Sequence, residues 1–253
     1  RHDDINIYEG GERDYNFVYN QHSINLQMLS FNIRNFSVDM NVKMDFYDFH
    51  DVLAGPSSAH DALNNVHFYS YIFRMNYNSE DRWFFTTKGA RFNAGFGYYT
   101  DNFISYGDTP GLSVADFMWR MSFPLSSRFV LQPMISGRML FGSNIPLIMR
   151  NSIGGQLPGL YLEQQVPFAG IGHIEFVDNM LLVGQLLAQQ RIMDNNYVFA
   201  RLSFGQRGER LRDLFKTGPM TGCELAYFYN SMFGPIGASL GYSSRTKEPY
   251  FYV

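Results

Sequence analysis

The chain has 253 residues, a net charge of -3, and aromatic and charged residues in equal shares of 17% each. That balance offers no basic surface for nucleic acid, and the single cysteine, Cys223, excludes both a disulfide framework and a cysteine metal site. A mean hydropathy of -0.20 without any long apolar run excludes a helical membrane protein.

Residues 1–23 read as an N-terminal polar segment or a partial strand, acidic at its start and without a secretory leader. The barrel reading reached below requires such a leader, so the sequence is expected to be a mature form or a piece of something longer. From residue 24 the pattern changes. A weak alternation at Leu29, Phe31 and Ile33 leads into the clearest one, at residues 36–46. Phe36, Val38, Met40, Val42, Met44 and Phe46 are apolar, with Ser37, Asp39, Asn41, Lys43 and Asp45 between them. Strands put successive side chains on opposite faces, so this is one apolar face and one ionic face. About eleven residues is also the length a tilted strand needs to cross a bilayer core.

The alternation then recurs to the end of the chain. Tyr69, Tyr71, Phe73, Met75 and Tyr77 oppose Arg74; Phe84, Phe92, Phe96 and Tyr98 oppose Arg91; Phe117, Trp119, Met121 and Phe123 oppose Asp116 and Arg120. Phe129, Leu131, Ile135, Met139 and Phe141 oppose Gln132 and Arg138. After a long interval, Leu182, Leu186 and Ala188 oppose Gln185 and Arg191, and Val198, Ala200, Leu202 and Phe204 oppose Arg201. Leu225 and Tyr227 oppose Glu224, with Cys223 as an apolar filler on their face. Ile236, Ala238, Leu240 and Tyr242 close the series. Tight connections at 78–81, 124–127 and 193–196 carry turn chemistry. Long ones at 50–63, 100–112, 142–170 and 206–218 lie at the other end.

These features predict an all-β chain, an antiparallel transmembrane β-barrel over residues 24–253. About eleven or twelve strands are visible, out of roughly sixteen in a whole barrel. Met40, Tyr71, Phe92 and Trp119 are expected to face lipid. Arg74, Arg91, Asp116, Arg120, Arg138, Arg191, Arg201 and Glu224 are expected to face the lumen. So many charges cannot share a dry core, but they can line a wet or plugged one. The alternative is a soluble sandwich whose polar faces meet water.

The connection at 142–170 is distinctive. It contains Ser152-Ile153-Gly154-Gly155-Gln156-Leu157-Pro158-Gly159-Leu160-Tyr161-Leu162-Glu163-Gln164-Gln165-Val166-Pro167-Phe168, and a late strand opens Gly234-Pro235-Ile236. Together these resemble the surface-antigen barrels, the superfamily of outer-membrane assembly and secretion proteins. The loop wording is most similar to the barrel half of patatin-like phospholipases of Bacteroidetes-type bacteria. The resemblance implies a long loop folded back into the lumen, carried by Gly154, Gly155, Gly159, Tyr161 and Gln164. It implies a Gram-negative outer-membrane location and lipid as a partner. It also implies an attached or docked periplasmic domain, or other subunits of an outer-membrane complex. Two departures stand out. The family's loop arginine, which pairs with an acid on the inner wall, is missing around Gly159-Leu160-Tyr161. The final strand is also expected to run past Val253, and several strands to precede Ile24.

No catalytic residue, metal or cofactor is expected in this segment. Gly237-Ala238-Ser239-Leu240-Gly241 matches the Gly-x-Ser-x-Gly elbow, which works on a strained strand-to-helix turn. Here the five residues lie inside an alternating strand. His50, His60 and Asp61 lack ligand spacing, and Gly154-Gly155 lacks the lysine and helix of a phosphate loop. Three function classes remain open: a barrel that anchors or exports an attached patatin-like lipid hydrolase, a subunit of an assembly or translocation machine, and a passive pore.

Overall fold

A computed structural model of the chain describes residues 2–54, 65–155, 157 and 162–253. Alternation becomes strand nearly throughout. The strands are β1 (His2–Glu9), β2 (Glu12–Ile33), β3 (Phe36–Ala54), β4 (Val66–Asn78), β5 (Gly89–Thr100) and β6 (Leu112–Pro124). Then come β7 (Phe129–Phe141), β8 (Met180–Met193), β9 (Asn196–Gly208), β10 (Met220–Ser231), β11 (Gly234–Ser243) and β12 (Pro249–Tyr252). Each pairs antiparallel with the next. Three short strands from the connection after β7 bring the sheet to 15 strands. The architecture is the expected one, an antiparallel barrel sheet of consecutive hairpins.

The outer face is apolar and aromatic. Met40, Tyr71, Phe96, Trp119, Leu202, Phe204, Leu225, Tyr227 and Leu240 are all exposed, which suits contact with hydrocarbon rather than water. Buried apolar clusters sit on the other face. Ile148, Met149, Leu162, Ile174 and Phe176 of the long loop pack on Tyr19, Phe68, Leu112, Val114 and Leu140. Ile153, Phe168 and Ile171 pack on Leu181, Val183 and Met220.

Three details differ from the sequence reading. First, β1 and the start of β2 carry the sheet through residues 2–23. β2 also holds a bulge between Gln27 and Leu29. An extra residue in one strand reverses the face of everything after it, so Ile24 and Leu26 share a face with Leu29, Phe31 and Ile33. Second, residues 78–81 are not a tight turn. β5 begins at Gly89, and Phe84 lies in a longer connection rather than on a strand. Third, the long loop extends to residue 179 and pairs with the sheet before β8 begins.

The first hairpin, β1–β2, and the last, β11–β12, lie at the two edges of the sheet. β1 covers β2 only as far as Asn20, and β12 covers β11 only from Ser239 onward. The two edges bound one seam, and the hairpins at its loop end meet. A Cβ on Gly11, between β1 and β2, would lie 3.0 Å from the carbonyl of Thr246, between β11 and β12.

Candidate functional site

The loop between β7 and β8 folds inward and is tied to the wall by side chains. It starts with a 3-10 turn, Leu147–Met149, whose Ile148 and Met149 are buried. Arg138, on the inner face of β7, donates through Nη1 to the Met149 carbonyl at 2.9 Å and to Asn151 Oδ1 at 2.7 Å. Asn151 is fully buried, and its Nδ2 donates to the carbonyls of Arg138, Asp178 and Asn179. One amide thus fastens both ends of the loop to the wall, adding to the backbone bond that Leu140 N–H makes to the Asn179 carbonyl.

Beyond Asn151 the chain forms Ser152–Ile153, paired with Gln165–Val166 and with Ile174–Phe176. Gly154 and Gly155 turn the first of these with φ of +128° and +67°. At Gly154 a Cβ would meet the His173 carbonyl at 1.9 Å, so only glycine fits. Gln165 Nε2 donates to the Gly154 carbonyl and Gln164 Nε2 to the Ile148 carbonyl. Gly159 and Tyr161 lie outside the described residues. Phe168, Ala169 and Ile171 then run buried along the inner wall. The wall is hollowed for them: a Cβ on Gly222 of β10 would be 1.9 Å from the Ala169 carbonyl, and Ala169 N–H donates to Ser203 Oγ at 3.0 Å.

The charged residues fall into several groups. Lys43 of β3 reaches Asp45 at 3.1 Å and Glu163 of the loop at 3.3 Å. Glu163 is largely solvated, so that contact steers the loop more than it holds it. Arg201 pairs with Glu224, which also accepts from Tyr250 Oη at 2.5 Å. Arg74, Arg91, Asp116 and Arg138 line a cavity of about 350 Å³ together with Lys43, Asp45 and Glu163. Arg120 leaves this group for Glu80, with contacts of 2.8 and 2.7 Å. Arg191 sits at the turn end and donates to the Ser127 carbonyl. The missing loop arginine therefore has a counterpart of opposite polarity, since the cations Arg138 and Lys43 are on the wall while carbonyls and Glu163 are on the loop.

The second built feature is at the seam, and nothing in the sequence marked it. Glu175 of Ile174–Phe176 is fully buried. It accepts from Gly10 N–H and Gly11 N–H at 2.9 Å each, from Arg245 Nε at 2.8 Å, and it contacts His173 Nε2 at 2.8 Å. Arg245 also donates to the Phe176 carbonyl at 2.7 Å. One carboxylate thus joins the first hairpin, the loop and the last hairpin. Burial alone would raise its pKa, but the hydrogen bonds from His173, Gly11 and Arg245 hold it below the usual carboxylate range.

Catalytic and metal chemistry find no such support. Ser239 lies within β11, paired on one side with Ala226 and on the other with Tyr252. This is continuous strand, not the exposed turn a nucleophile elbow requires. His50 contacts Asn20 and Asp48, while His60 and Asp61 lie outside the described residues. Among the described residues no group of three or more His, Cys, Asp or Glu side chains could hold a metal ion.

Residues 14–253 match the family model described as the OMP85 superfamily. The fold is similar to a crystal structure of BamA from Haemophilus ducreyi lacking POTRA domains 1-3, with a TM-score of 0.66 at 13% identity. The match covers 99% of this chain and 55% of that one, so the chain spans about half the length of the protein it resembles. Comparison with curated proteins gives no match.

Proposed function

Because the chain belongs to the OMP85 superfamily, we propose that it is the barrel of an outer-membrane assembly or translocation machine that handles polypeptide at its seam. The observation that carries this reading is the seam between the first and last hairpins, which Glu175 joins through Gly10, Gly11 and Arg245 and whose parting would expose strand edges. An unpaired edge offers a row of backbone donors and acceptors to an extended chain, and pairing by strand addition needs no particular client sequence. The apolar outer face makes lipid the second partner. Domains or subunits on the turn side, where connections are short, would deliver the client.

A second reading rests on the loop wording from Gly154-Gly155 to Pro167-Phe168. In it the barrel anchors or exports a patatin-like lipid hydrolase carried by the same polypeptide. A passive pore fits less well, because the long loop and its buried anchors occupy the lumen.

Depleting the protein in its host and following other outer-membrane barrels separates these readings. The assembly reading predicts that the folded, heat-modifiable forms of those barrels fall several-fold while unfolded forms accumulate. If they are unchanged and only surface lipid hydrolysis disappears, the anchoring reading holds instead.

A further inference from the structure

The connection between β4 and β5, residues 79–88, lies on the turn side, where neighbouring hairpins close within a few residues. It is longer and is built from within. Asp81 accepts from Thr87 N–H at 2.9 Å, Thr87 Oγ1 at 2.6 Å and Lys88 N–H at 3.1 Å, and Thr86 Oγ1 donates to the Arg82 carbonyl. At its base, Glu80 takes both contacts from Arg120 of β6. These bonds aim Phe85 across the lumen.

Phe85 is buried, although its neighbour Phe84 is exposed. Its ring stacks on Tyr197 at 4.0 Å between centroids and 11° between planes, and meets Phe199 edge-on at 5.7 Å. Leu187 and Ala226 complete the cluster, with Phe228 against it. These partners are on the inner face of β8, β9 and β10, whereas the stem springs from β4 and β5. The segment therefore reaches from one wall to another. Phe85 does so with φ of +51°, a left-handed conformation that a bulky residue holds only when its surroundings impose it. The cluster shares no residue with those under the long loop.

We propose that residues 79–88 are a lumen plug inserted from the turn end, which closes the barrel to small hydrophilic solutes independently of the long loop. Phe85 is its seal, and the Glu80–Arg120 pair holds its base. Displacing it would open the turn end while the opposite plug stays docked.

Two measurements on the full-length protein test this. In planar bilayers the unmodified protein should stay largely closed, and Phe85→Ala should raise mean conductance several-fold when added to Asn151→Ala, which frees the long loop from the wall. Labelling gives a second readout: in a Cys223→Ser background, Ala226→Cys lies beneath Phe85. It should resist a membrane-impermeant maleimide, and adding Phe85→Ala should speed the reaction several-fold. A steadily conducting unmodified protein overturns the proposal. So does a folded Phe85→Ala protein with unchanged labelling, or with no added conductance once Asn151→Ala has freed the long loop. If Phe85→Ala does not assemble, Ala226→Cys alone decides: slow labelling supports the plug and fast labelling overturns it.

Discussion

Replacing Glu175 with alanine is expected to undo the loop end of the seam, at a cost of about 3–5 kcal/mol. That is the range for breaking a buried, hydrogen-bonded ion pair by removing one partner. The cost arises because Arg245 would keep its charge with little access to water, while the amides of Gly10 and Gly11 would lose their acceptors. Urea unfolding in lipid vesicles reads the loss, and cleavage by protease at residues 244–248 reads the released hairpin. Glu175→Gln should fall between the two, since it keeps an acceptor but turns one donor toward donors. The carboxyl is held below its ordinary range when folded, so its contribution is complete above about pH 4.5. It declines as pH falls through the lowered folded value. Acid should therefore loosen the unmodified protein at this point but leave Glu175→Gln nearly insensitive there. A Glu175→Ala protein as stable as its parent would remove the seam from the account.

Asn151→Ala is the second large effect expected. The side chain donates to three carbonyls and accepts from Arg138; the two contacts with Arg138 are buried and those to Asp178 and Asn179 partly so. Each orphaned buried group costs roughly 1–3 kcal/mol, so a total of about 3–5 kcal/mol is expected after partial relaxation. Asn151→Asp should be no rescue. It preserves the acceptor for Arg138 but sets a negative charge against three carbonyl oxygens. Limited proteolysis distinguishes this from a global effect, because cutting should concentrate within residues 142–179 while the strands remain protected.

The strands were legible because a period of two needs only neighbours in sequence. Residues 36–46 show it unbroken and begin β3. β2 was legible only in part, since the bulge between Gln27 and Leu29 flips the phase and makes one long strand read as a weak short one. The side-chain ties were not legible, because their partners are remote. Lys43 and Glu163 are 120 residues apart, and Gly10 and Glu175 are 165 apart. Alternation placed Arg138 on the polar face but could not show Asn151 waiting there. Phe84 and Phe85 illustrate the same limit: a pattern assigned Phe84 to a strand, whereas the structure leaves it exposed and buries Phe85 against a wall more than a hundred residues later. The glycines of the loop were read as points of backbone freedom, and at Gly154 and Gly155 the positive φ values show that use.

The central claim is that the long loop lies docked against the inner wall in the working protein, and one cross-link tests it. Ala169 N–H meets Ser203 Oγ at 3.0 Å, joining the loop to the inner face of β9. With Cys223→Ser to remove the native thiol, Ala169→Cys and Ser203→Cys should form a disulfide in intact cells on mild oxidation. Neither thiol should react with an impermeant maleimide added outside. Absence of the disulfide together with rapid labelling at position 169 from outside would show a loop that leaves the lumen, and would contradict the account.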